Sequence, residues 1–273
     1  SQIGSDIDGE ADYDESGRSV SLSADGTIVA IGAYRNDGNG SDSGHARVYE
    51  NVAGTWTQIG SDIDGEAAND NSGRSVSLSA DGTTLAIGAW QNDGNGSDSG
   101  HARVYQNVGG TWTQIGSDID GEAILDISGF SVSLSSDGSI LAIGAIFNGG
   151  GAGHVRVYQN VGGTWTKLGQ DIDGEAAVDF SGYSVSLSAS GSRVAIGAIQ
   201  NDGNGSNSGH VRVYKYNGTS WTQIGSDIDG EAAGDESGVS VSLNSDGTIV
   251  AIGAYKNDGT GGSAGKVHIY EFV

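Results

Sequence analysis

Apolar positions in this chain recur in short runs and never at helical spacing. In "SVSLSADGTTLAIGA", which begins at Ser75, Val76 and Leu78 alternate with Ser75, Ser77 and Ser79. That period of two marks a strand with one face buried. "TLAIGA", "ARVYQNV" and "TWTQIGSDI" follow as a second, third and fourth strand. Asp81-Gly82 separates the first two and Gly109-Gly110 the last two, dipeptides suited to tight hairpins. The segment predicts a four-stranded antiparallel meander.

The same pattern returns five times. The hexapeptide "DIDGEA" starts at Asp6, Asp62, Asp118, Asp171 and Asp227, at spacings of 56, 56, 53 and 56 residues, a fixed period that signals repeat architecture. Four-stranded units around a ring predict an all-β fold, a five-bladed β-propeller forming one domain over residues 1–273, with units starting near 6, 62, 118, 171 and 227. "SQIGSDI" at the start matches the fourth strand and "KVHIYEFV" at the end the third. The N-terminal strand is therefore expected to complete the last blade and close the ring, whereas a linear solenoid would leave two unpaired edges. Trp56, Trp112, Trp165 and Trp221 recur at one position and read as packing between blades.

Charge narrows the partners. With 35 acidic against 12 basic side chains and a net charge of −23, the surface field repels phosphate backbones and anionic headgroups. Nucleic acid and direct membrane insertion are not expected. The chain contains no Cys or Met and opens in mid-repeat, the mark of a processed protein or an excised domain.

"SGRSVSLSADGTTLAIGA" followed by "SGHARVY" resembles the FG-GAP repeats of integrin alpha-chain propellers and of bacterial surface and secreted proteins. "GA" at Ala33, Ala89, Ala145, Ala198 and Ala254 matches the second motif, although Tyr34, Trp90, Ile146, Ile199 and Tyr255 replace the expected Pro, and Ser72-Gly73 replaces "FG". The resemblance implies an extracellular or cell-surface propeller used in recognition or adhesion. Members usually carry seven blades, so five is a departure. Their calcium sites lie in the first hairpin, which here is only "SADGT" or a close variant, and cannot be carried over.

The acidic hexapeptide leaves two readings open. Asp62 and Asp64, two apart on an extended segment, point the same way, and Glu66 and Asp70 follow. Equivalent carboxylates are Asp6, Asp8 and Asp14; Asp118, Asp120 and Asp126; Asp171, Asp173 and Asp179; and Asp227, Asp229 and Asp235. Such clusters supply the oxygen ligands that calcium takes. Alternatively, the carboxylates cap turns through backbone amides. His45, His101, His154 and His210 stand one per blade, too far apart to share a metal, and read as structural.

Variation concentrates in the two-to-three and inter-blade loops, which strand alternation places on one face. Ile124, Leu125, Ile127 and Phe130 lie in one inter-blade loop, Val178, Phe180 and Tyr183 in the next, and Ile146, Phe147 and Ile199 in the two-to-three loops beside them. If exposed, they form a docking patch. Tyr34, Trp90 and Tyr255 on the other blades are candidate stacking surfaces for sugar rings. No unique nucleophile, base and acid stand out, so an enzyme is not expected. The sequence therefore predicts a non-enzymatic propeller binding a protein or glycan through its long-loop face. The alternative is a structural repeat module or assembly unit of a larger surface protein, natural or engineered, with calcium-stabilised acidic loops; calcium is the one candidate ion.

Overall fold

The computed structural model describes residues 1–259 and 261–272. It consists of five antiparallel sheets, with Asn148–Gly151 the one helical turn among those residues. In the second unit, Ser72–Leu78, Thr84–Ala89, His101–Val108 and Thr111–Gln114 pair in sequence order. The predicted fourth strand is interrupted. Gly116 adopts φ +75, the chain leaves the ladder after Gln114, and Ile119–Asp120 returns to pair with Ala102 and His101. The excursion swings Asp118 out of the sheet while Asp120 stays in it.

Core residues sit between sheets. Ala30, Val48 and Ile63 of the first unit interlock with Val76, Leu78, Leu85 and Ile87 of the second. Each fully buried Leu or Ile contributes about 1.5–3 kcal/mol, so stability resides at the junctions. The indole N–H groups of Trp112, Trp165 and Trp221 donate to Ile59, Ile115 and Leu168 of the preceding unit, in accord with a packing role.

Polar bonds mark each junction near the axis. Ser19, Ser75, Ser131 and Ser184 hydroxyls donate to the carbonyls of Gly73, Gly129, Gly182 and Gly238 in the following unit. A backbone belt runs alongside: Ala24 N–H donates to Ala80, Ala80 to Ser136, Ser136 to Ala189 and Ala189 to Ser245. Inner-strand residues of all five sheets, from Ser19 to Ser240, line one cavity of about 450 Å³. Sheets radiating from a common axis define a β-propeller.

Between the fifth sheet and the first, no equivalent bond is made among the described residues. Residues 1–7, expected to complete the last sheet, form no strand, and that sheet keeps three strands, Ser240–Leu243, Ile249–Ala254 and Lys266–Glu271. Val20 is 63% exposed against 8% for its counterpart Val76, and Ile269 71% against 1% for Val213. The flanks of this junction show to solvent what the other four junctions bury.

Candidate functional site

The long loops are tied together on one face. Asp70, 3% exposed, accepts from the Glu66 and Ala67 amides and from the Asn92 side chain of the two-to-three loop at 3.0 Å. Asp14, Asp126, Asp179 and Asp235 bond the matching amides and the corresponding Asn. These five carboxylates are turn caps, and the structure separates them from the other acids of the hexapeptide.

The remaining acids converge elsewhere. His45 Nδ1 faces Glu10 Oε2 at 3.9 Å, Asp62 Oδ2 at 4.0 Å and Asp64 Oδ1 at 3.9 Å. His101 meets Glu66 and Asp120, with Asp118 in the same cluster, and His210 meets Glu175, Asp227 and Asp229. In the third unit His154 groups with Glu122 and Asp171, and Asp173 pairs with it along the ladder. Burial holds these imidazoles below their usual range, His101 down to about 4, so they are neutral near pH 7. The four histidines stand in separate groups, each with its own carboxylates. Chain spacing gave no sign of this, because Glu10 and His45 are brought together only by sheet packing. Asp6 and Asp8 serve otherwise: Asp6 accepts from Gln2, and the Asp8 carbonyl accepts from Arg47.

The apolar loop residues divide. Ile124, Leu125, Phe147, Val178 and Tyr255 are exposed, and Tyr34, Trp90, Phe180 and Tyr183 are half-buried. Ile127, Phe130, Ile146 and Ile199 are buried, which corrects their expected place on a docking surface. The first three form a cluster with Trp90, Phe180 and Tyr183, because loops of neighbouring units lean over one another and enclose these side chains. Phe147 and Phe180 rings lie 5.0 Å apart and carry the cluster out to solvent.

The channel opens on this face. Its mouth takes the residue after each Ser-Gly: Arg18, Arg74, Phe130, Tyr183 and Val239. The Arg74 guanidinium lies 4.3 Å over the Phe130 ring, and Phe130 and Tyr183 centroids are 4.9 Å apart. Burial, then the nearby charge of Arg18, lowers the Arg74 pKa. Neither guanidinium has an ion pair among the described residues, and nearby Glu15 is paired with Arg35 at 3.5 Å. The sequence pattern "SGR", "SGR", "SGF", "SGY", "SGV" held this signal; only the ring arrangement shows that the five positions meet.

The fold and the repeats define a β-propeller, two of whose units match the FG-GAP repeat. The FG-GAP repeat signature matches residues 6–49 and 62–105, in agreement with the resemblance read from the sequence. No curated protein matches the chain. Among solved structures it is similar to Kuenenia stuttgartiensis hydrazine synthase, with 12% identity and TM-score 0.58 over 93% of this chain and 71% of that one. It is also similar to the Pseudomonas aeruginosa periplasmic gluconolactonase PpgL, with 19% identity and TM-score 0.58 over 86% of this chain and 64% of that one, under two thirds of its length. A Bacteroides uniformis protein described as a candidate 6-phosphogluconolactonase gives 15% identity and TM-score 0.59 over 94% and 72%. At such identities the likeness is one of fold alone. All three of these neighbours carry enzyme names, which overturns the expectation that this chain is not one: a propeller of repeated units is compatible with catalysis. No helix among the described residues is long and apolar enough to cross a membrane.

Proposed function

We propose that this protein is a recognition propeller, acting outside the cell or on its surface, that binds an acidic glycan at the channel mouth on its long-loop face. One observation carries the reading: Arg18 and Arg74 line the same mouth, with no ion-pair partner among the described residues, in a molecule of net charge −23. Holding the half-buried Arg74 charge beside that of the exposed Arg18 is costly unless an anion neutralises them. Half-buried Tyr183, packed on Phe130, supplies an aromatic ring at the same mouth. A uronic-acid residue matches both halves, its carboxylate taking a guanidinium fork and its C–H face resting on an aromatic. The surrounding acidic surface disfavours dense polyanions and selects short, sparsely charged chains.

Calorimetric titration with a galacturonic-acid trimer tests this, a neutral galactose oligomer serving as control. Uronate binding that weakens at least tenfold in Arg74→Gln supports the reading. Absence of uronate binding, or equal binding of the neutral oligomer, overturns it.

We further propose that five blades close into a ring, with residues 1–7 as the missing fourth strand of the last sheet. Trp56 Nε1 donates to the Ile3 carbonyl at 3.0 Å, the same bond that Trp112 makes to Ile59. That bond supports reading the N-terminal segment as a fourth strand. Because the chain lacks Cys, Ile3→Cys with Ile269→Cys reports closure cleanly. A disulfide within one chain supports the closed ring; failure to form any disulfide speaks against it. A disulfide joining two chains favours the second reading, an assembly unit, which the exposed Val20 and Ile269 also suit.

A further inference from the structure

We propose that the Glu–His–Asp clusters of the first, second and fourth units are divalent metal sites of transition-ion character, each built from one imidazole and the carboxylates of two successive hexapeptides. The sites are Glu10, His45 and Asp62; Glu66, His101 and Asp118; and Glu175, His210 and Asp227. Asp64, Asp120 and Asp229 each stand 3.9 Å from the respective imidazole as a further donor.

Three observations carry the assignment. First, each of these histidines is 1% exposed, and its Nδ1 finds no hydrogen-bond partner among the described residues although it faces carboxylates. A buried polar atom without a partner is costly. At 3.8 to 4.0 Å the carboxylate oxygens are too far to accept a hydrogen bond. They are well placed to share an ion. Donor atoms within 4.8 Å of one another leave a point roughly 2.2–2.5 Å from each, close to the spacing of metal bound by imidazole and carboxylate.

Second, the charge is unbalanced in the sense a divalent cation corrects. Each cluster carries three carboxylates and a neutral imidazole against one guanidinium, Arg47, Arg103 or Arg212. That arginine is already committed: its other nitrogen donates to the backbone carbonyl of Asp8, Asp64 or Asp173. It approaches one Glu oxygen at 3.3 to 3.5 Å and leaves the second turned to the histidine.

Third, the two units that depart from the pattern both place a fixed cation on these acids. In the first, second and fourth units Gln58, Gln114 and Gln223 donate to Asp62, Asp118 and Asp227. The third unit has Lys167 at that position, with its ammonium 2.8 Å from Asp171 and 3.9 Å from Glu122. The fifth replaces the histidine itself by Lys266, bonded to both oxygens of Glu231. Where the chain supplies its own ammonium, the cluster needs no ion. A buried imidazole among the donors selects Zn²⁺ and its neighbours over calcium, which takes six to eight oxygens.

The test uses the full chain, stripped with chelator, and calorimetric titration with Zn²⁺, with Ca²⁺ and Mg²⁺ in parallel. The expected result is three Zn²⁺ per chain, with at least tenfold weaker binding of Ca²⁺. Two substitutions borrowed from the chain's own units keep the fold intact. Gln114→Lys imitates the third unit and is expected to lower the stoichiometry to two, whereas Lys167→Gln is expected to raise it to four. Co²⁺ in place of Zn²⁺ gives a visible absorption that should follow the same counts. Zn²⁺ binding unchanged by both substitutions, binding of Ca²⁺ as tight as Zn²⁺, or no stoichiometric binding would each overturn the assignment.

Discussion

A side chain on Gly88 would overlap the carbonyl oxygen of Gly129 in the next sheet. The second strand of one unit and the Ser-Gly turn of the following one meet backbone to backbone, with the Ser75 hydroxyl bonded to the same carbonyl at 2.9 Å. Gly88→Ala is therefore expected to cost at least about 3 kcal/mol through overpacking that neither backbone can relieve. Urea unfolding of the variant checks this, and a loss under about 1 kcal/mol would contradict it.

Gly253 is the counterpart of Gly88 in the last sheet. Among the described residues, the atoms nearest a Cβ there belong to the Ser240 and Val239 side chains, and none is a facing carbonyl. With the ring closed as proposed, the Gly17 carbonyl takes that place. Gly253→Ala is then expected to destabilise as much as Gly88→Ala. A cost smaller by roughly 2 kcal/mol or more would mean that the junction stays open in solution.

Val178 occupies a left-handed backbone position, φ 73, where the fifth unit has Gly234. A β-branched residue there bears about 1–2 kcal/mol of steric strain, and Val178 recovers little of it by burial, being 51% exposed. Val178→Gly is expected to stabilise by about 1 kcal/mol after the entropy cost of glycine. Differential scanning calorimetry should show a Tm higher by about 2 °C.

Acid should loosen the first hairpins of the units. The Asp25 carboxyl lies at about 2, below its ordinary value, because the Thr27 amide and the Ser23 and Thr27 hydroxyls donate to it. In Asp81 and Asp137 burial pushes upward, but the same set of donors outweighs it and lowers both. A carboxyl depressed in the folded state stabilises fully above its unfolded pKa, roughly 3.9, and that contribution disappears as pH falls through the folded value. Urea midpoints are expected to drop between about pH 4 and pH 2. The fourth unit already carries Ser190 at this place, and Asp25→Ser with Asp81→Ser should flatten the decline. An equally steep decline in the double variant would refute the attribution.

Much of the fold was legible because each unit repeats the same alternation, and Val76 and Leu78 face the core as their spacing required. The break after Gln114 was not, since "IGSD" reads as continuous strand until the left-handed Gly116 is seen. Phe130 and Ile127 were misplaced for a different reason. Their burial depends on Ile146, Trp90 and Tyr183 in other units, and no pattern within one unit encodes what the next unit lays over it. The histidines were discounted on the same ground: at one per unit they looked isolated, while the carboxylates around them come from hexapeptides on either side in the chain.

The belt of backbone bonds from Ala24 to Ser245 runs in one sense only, each amide donating to the carbonyl of the following unit. Its two ends are therefore unlike: the Ser245 amide seeks an acceptor, and the Ala24 carbonyl offers one. A two-fold dimer across this edge would set donor against donor and acceptor against acceptor. Any second copy that joined here would have to add head to tail, as a heterologous contact that either closes into a larger ring or keeps growing as a filament.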